Sequence, residues 1–115
     1  MRTIAHWVDG KYYEGNPIGR FAVENPGTGE VEAELLQASD ADLDHAVEVA
    51  RRAQKEWAKV SLAKRTAIMF RMRQLVLDHQ DEMAKMIVAE HGKNYSDAVG
   101  EIQRGRETLD FATAI

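Results

Sequence analysis

The chain holds 115 residues, 44% hydrophobic and 30% charged, with a net charge of −4 and no cysteine. That length suits one small domain, the composition excludes wholesale disorder, and the acidic balance excludes general affinity for nucleic acid or an anionic membrane. Without cysteine these residues contain no disulfide framework, no thiolate metal site and no cysteine nucleophile.

Ile4 to Val8 alternates bulky side chains, Asp9-Gly10 supplies a dipeptide that tolerates the positive φ of a tight hairpin, and Lys11-Tyr12-Tyr13 returns. A loop over Gly15 to Gly19 follows. Phe21 and Val23 then lead into Asn25-Pro26-Gly27-Thr28-Gly29, a turn that introduces a second strand pair. In the returning strand Val31, Ala33 and Leu35 alternate with Glu30, Glu32 and Glu34, which predicts one buried face and one acidic, wet face.

Ser39, with Asp42 three residues on, predicts the start of a first helix from about Asp40 to Ala58. Ser61 caps a second helix that ends near His79. Asp81-Glu82 places negative charge at the start of a third, and Gly92 supplies its left-handed stop. Asn94 with Asp97 caps a fourth, whose apolar stripe continues to Ile115 with no terminating residue, so the sequence reads as cut. The predicted fold is an α+β fragment, with β-hairpins over residues 1–38 and about four helices over 39–115. No apolar run approaches the roughly 18 residues of a membrane span. Met1 to Ile4 has no apolar signal core, so a soluble cytoplasmic chain is expected.

Motifs of independent chemistry are few. The histidines, His6, His45, His79 and His91, lack the spacing of a zinc site. Gly27-Thr28-Gly29 lacks the third glycine of a phosphate loop and reads as a turn. Asp40, Asp42, Asp44 and Glu48 read as helix capping, not as a calcium loop. Trp7, Trp57, Tyr12 and Tyr13 are too scattered for a base-stacking platform and are expected to anchor the small core. Between Arg51 and Arg73 eight basic residues face one acid, Glu56; this is either a solvated helical face or a surface for an anion, a nucleotide or a subunit. Arg104-Gly105-Arg106 sits inside the fourth helix, where glycine costs about 1 kcal/mol relative to alanine. The pair is either a fork for a carboxylate or phosphate, or surface arginines beside a close helix contact.

Taken in order, Trp7 to Tyr12, Glu24 to Glu30, the Ala46 to Trp57 helix, Arg65 and Glu90-His91-Gly92-Lys93 resemble the N-terminal region of the aldehyde dehydrogenase superfamily. Glu101 to Glu107 with Phe111-Ala112 looks most like the coenzyme A-acylating methylmalonate-semialdehyde type. Gly27, where alanine is commoner, and His91 before Gly-Lys are minor departures. The resemblance implies a homo-oligomeric, NAD-dependent enzyme using coenzyme A, in which a cysteine thiolate attacks the semialdehyde and the product is propionyl-CoA or acetyl-CoA, as in valine and myo-inositol breakdown. It implies that residues 39–115 are the helical start of an incomplete NAD-binding domain. Arg104 would hold the substrate carboxylate, with Arg106 as rival. Nucleophile, NAD contacts and any metal have no counterpart here, so the segment alone is expected to be inactive, with part of its apolar surface exposed. Two alternatives remain: a non-acylating dehydrogenase of another carboxylated aldehyde such as succinate semialdehyde, and a short non-catalytic helical binding module.

Overall fold

The structure, a computed structural model, describes residues 1–114 and contains two compact units, one over residues 1–59 and one from Val60 onward. The first unit holds β1 (Arg2–Ile4), β2 (His6–Val8), β3 (Lys11–Tyr13), β4 (Gly19–Glu24), β5 (Val31–Gln37) and α1 (Asp40–Trp57). The expected hairpin forms between β2 and β3, with Asp9 at φ 57° and Gly10 at φ 72°. This paired left-handed geometry matches the twist of the flanking strands. The stretch from Ile4 to Val8 is not one strand. It breaks at Ala5, and β1 runs parallel to β5 with Ile4 opposite Leu35. Local alternation shows extended backbone but not its partner, and β2 is already taken by β3.

β4 and β5 pair antiparallel around the Asn25 turn, where Gly29 N–H donates to the Asn25 carbonyl at 2.7 Å and Gly27 N–H to Asn25 Oδ1 at 2.9 Å. The order β1-β5-β4 makes β5 the central strand. Its predicted faces need correction. Ala33 is fully buried, but Leu35 is 38% exposed while Leu36 is 2% exposed. Alternation puts Leu36 on the side of Glu32 and Glu34. The one-face pattern fails because β5 is covered on one side at Ala33 and on the other at its end, where the chain turns into α1.

The aromatic residues correct a second expectation. Trp7 and Tyr12 are 65% and 78% exposed and pack edge to face at 5.0 Å instead of anchoring a core. Directly opposed on the two-stranded hairpin, they share its outer face, while His6, Val8 and Tyr13 line a cavity of about 170 Å³ against Asp42 and Leu43.

α1 starts as the sequence predicts. Ser39 Oγ accepts from Asp42 N–H, and the Asp42 carboxylate accepts back from Ser39 N–H at 2.9 Å. The same carboxylate, buried in the structure, also accepts from Ser39 Oγ at 2.7 Å, Tyr13 Oη at 2.9 Å and Asn16 N–H at 3.0 Å. One side chain therefore joins the helix start, the hairpin and the loop after it. These donors, led by Ser39, hold the Asp42 carboxyl well below the usual carboxylate range.

The second unit is α2 (Leu62–Asp78), α3 (Gln80–His91) and α4 (Tyr95–Thr113). Ser61 and Asn94 cap α2 and α4 as expected, and Gly92 at φ 80° ends α3. α3 begins one residue before Asp81 and shares His79 with the end of α2. Ala84, Ala98 and Ile102 are buried, with Val76, Met83, Ile87, Val88 and Val99 packed around them. Small residues let α3 and α4 approach, and Ile102 supplies the apolar bulk, about 2–3 kcal/mol of burial. The predicted α4 stripe ends at Ile115, which lies outside the described residues. Outward, Leu62, Phe70, Leu75 and Phe111 are exposed, as expected for a segment with uncovered apolar surface.

Candidate functional site

Three local devices place the elbow between α3 and α4. Gly92 turns the chain in the left-handed region, Asn94 Oδ1 accepts from Asp97 N–H at 2.9 Å, and Tyr95 Oη donates to Asp81 Oδ1 at 2.7 Å. Asp81 also pairs with Lys85 at 2.7 Å, and this ammonium, with Tyr95, lowers its carboxyl from the ordinary value. The start of α4 is thus fixed against the start of α3.

Two and three turns along α4 lie Glu101, Arg104, Gly105 and Arg106. Arg104 is exposed, and among the described residues its guanidinium makes no hydrogen bond or ion pair. Arg106 differs: it is half-buried, and its Nε is enclosed without an acceptor. The two arginines that the sequence pairs as a fork therefore occupy different environments on the helix. Arg104 presents a free planar donor set to the outside, which is what bidentate capture of a carboxylate requires.

Gly105 carries no close helix contact within the described residues, since a Cβ built there meets nothing within 4 Å. This removes the local packing explanation for a glycine in mid-helix. The open backbone lies directly beside Arg104.

One partner was not legible in the sequence. Lys93, in the elbow, donates from Nζ to Glu101 Oε1 at 2.5 Å. Lys93 holds the Glu101 carboxyl below its ordinary value, with smaller help from the charges of Arg104 and His91 against partial burial. The only sequence signal was a lysine directly after a helix-ending glycine, eight residues before a glutamate on the next helix.

Three of the basic residues from Arg51 to Arg73 have partners within their own unit. Lys59 pairs with Glu56 at 2.8 Å, Arg73 with Asp110, and Arg65 Nε donates to the Val60 carbonyl at 3.0 Å. Among the described residues no cluster of His, Asp and Glu could hold a metal ion, and no helix is long and apolar enough to cross a membrane.

A family model described as the aldehyde dehydrogenase family matches residues 12–115. The chain is 41% identical over 113 residues to malonate-semialdehyde dehydrogenase 2 of Oceanobacillus iheyensis, covering 98% of this chain and 23% of that protein. It is similar to the crystal structure of a methylmalonate-semialdehyde dehydrogenase from Sinorhizobium meliloti complexed with NAD, with a TM-score of 0.95 and 40% identity over 98% of this chain and 23% of that one. It is also similar to an NAD-dependent benzaldehyde dehydrogenase from Corynebacterium glutamicum, with a TM-score of 0.90 and 34% identity over 96% of this chain and 24% of that one. The chain thus spans about a quarter of the length of the relatives it matches. On the match over nearly all of its residues, in sequence and in fold, the chain belongs to the aldehyde dehydrogenase family.

Proposed function

We propose that the chain is the N-terminal part of an NAD-dependent, coenzyme A-acylating dehydrogenase of malonate or methylmalonate semialdehyde, in which Arg104 receives the substrate carboxylate. The observation that carries this reading is the exposed Arg104 guanidinium, without an acceptor among the described residues, in a chain about 40% identical to semialdehyde dehydrogenases whose substrates bear a carboxylate. Within this chain the contribution is recognition and support. The nucleophile belongs to other segments, because these residues include no cysteine.

NAD would supply hydride acceptance when bound. Acids in the first turns of α1 (Asp40, Asp42), α3 (Asp81, Glu82) and α4 (Asp97) disfavour phosphate at those helix starts. The exposed apolar side chains of α2 and α4 form the surface that the remaining polypeptide would cover.

The likeness to a benzaldehyde dehydrogenase favours a second reading, an enzyme for an uncharged aldehyde that releases a free acid. Full-length enzyme assayed for NADH formation from malonate semialdehyde, with and without coenzyme A, separates them. Turnover that depends on coenzyme A and prefers the semialdehyde over propanal supports the proposal; turnover without coenzyme A and a preference for the uncharged aldehyde overturns it.

A further inference from the structure

Lys93 is held at both ends, by the left-handed Gly92 that stops α3 and by the Asn94 cap that starts α4. From this fixed elbow its ammonium reaches forward to Glu101 at 2.5 Å, with side-chain exposures of 23% for Lys93 and 40% for Glu101. Glu101 and Arg104 are three residues apart on α4. At that spacing a free carboxylate and a guanidinium pair along a helix. Here no such pair forms: Glu101 accepts from Lys93 at Oε1, and the Arg104 guanidinium makes no hydrogen bond or ion pair among the described residues.

We propose that Lys93 is a positioning residue for carboxylate recognition: by occupying Glu101 it keeps Arg104 available to the substrate carboxylate. The inference rests on the reading of Arg104 given above. Lys93 need not touch the substrate. It draws one oxygen of the competing acceptor away from Arg104 and offsets a negative charge that would repel the incoming carboxylate. Loss of Lys93 is not relieved by protonation of Glu101, whose ordinary value already leaves it ionised at neutral pH. The missing Cβ at Gly105 leaves room beside Arg104 for the ligand.

The test compares Lys93→Met, Glu101→Gln, the double variant and Arg104→Leu in the full-length enzyme. kcat and KM are measured for malonate semialdehyde and for propanal. Lys93→Met is expected to raise KM for the semialdehyde roughly three- to tenfold, with little change in kcat, and to lower the semialdehyde-to-propanal ratio of kcat/KM by the same factor. Glu101→Gln alone is expected to leave that ratio at or above wild type, and the double variant to restore it. If Arg104→Leu lowers the ratio but Lys93→Met does not, the role of Lys93 is overturned while the carboxylate reading stands. Equal loss for both substrates in Lys93→Met, or no rescue by Glu101→Gln, assigns Lys93 a structural role and also overturns the inference. If Arg104→Leu leaves the ratio unchanged, both fall together.

Discussion

Replacing Gly15 by alanine tests the joint around Asp42. Gly15 has φ +62°, and a Cβ added there would overlap Asp42 Oδ1 and lie 2.6 Å from Cγ and 2.9 Å from Oδ2. The left-handed conformation costs alanine about 1–2 kcal/mol. The overlap adds about 1–3 kcal/mol, because the carboxylate is held by Ser39, Tyr13 and Asn16 and cannot swing aside without releasing them. A local loss of about 3 kcal/mol follows, equivalent to roughly 100-fold faster opening. Hydrogen–deuterium exchange of the full-length enzyme reads this directly, in peptides covering Tyr13 to Asn16 and Ser39 to Asp42. Gly29→Ala is the control. Its φ is +75° with nothing within 4 Å of a Cβ, so it carries the conformational cost alone. If Gly15→Ala accelerates exchange no more than Gly29→Ala, the joint is not what holds the hairpin to the helix start.

Ser39→Ala removes both the cap and a donor to Asp42 and is expected to cost about 1–2 kcal/mol, seen as faster exchange in the first turn of α1; unchanged exchange would show that the cap is dispensable. Asp42 has a folded-state pKa below its unfolded value, so its contribution is complete above about pH 5 and is lost as pH falls below about 4. The stability difference between wild type and Asp42→Asn should therefore be flat from pH 8 to 5 and shrink below pH 4 in urea titrations; a difference that varies between pH 6 and 8 contradicts this. Gly105→Ala should strengthen α4 by about 0.8–1 kcal/mol, read as slower exchange, and a weakened α4 would reveal a segment resting on that backbone. Ile102→Ala, in the buried cluster of the second unit, should cost about 2–5 kcal/mol by unfolding midpoint; a smaller loss would mean the cluster does not hold α3 to α4.

Features written in adjacent residues were legible. Ser39 with Asp42 gave the start of α1, Asp9-Gly10 the hairpin and Gly92 the end of α3, because each depends on neighbours within about four positions. Features set by distant partners were not. Nothing local says that Ile4 pairs with Leu35, that Asp42 also receives Tyr13 and Asn16, or that Trp7 and Tyr12 face outward. The candidate site divides the same way. The costly glycine marked the pair Arg104 and Arg106, and the family resemblance singled out Arg104, whereas the contact from Lys93 to Glu101 arises from the direction of the elbow, which only the fold supplies. The different environments of Arg104 and Arg106 likewise follow from helix phase against α3 and α2, not from the motif.

The central claim is that this segment selects a carboxylated aldehyde through Arg104. The most direct measurement is the ratio of kcat/KM for malonate semialdehyde to that for propanal in the full-length enzyme, compared with Arg104→Leu and Arg106→Leu. The account predicts that Arg104→Leu lowers this ratio roughly 10- to 100-fold, the worth of a charge-assisted hydrogen-bonded pair, and that Arg106→Leu does not. An equal loss for both aldehydes in Arg104→Leu, or a selective loss in Arg106→Leu instead, would contradict it.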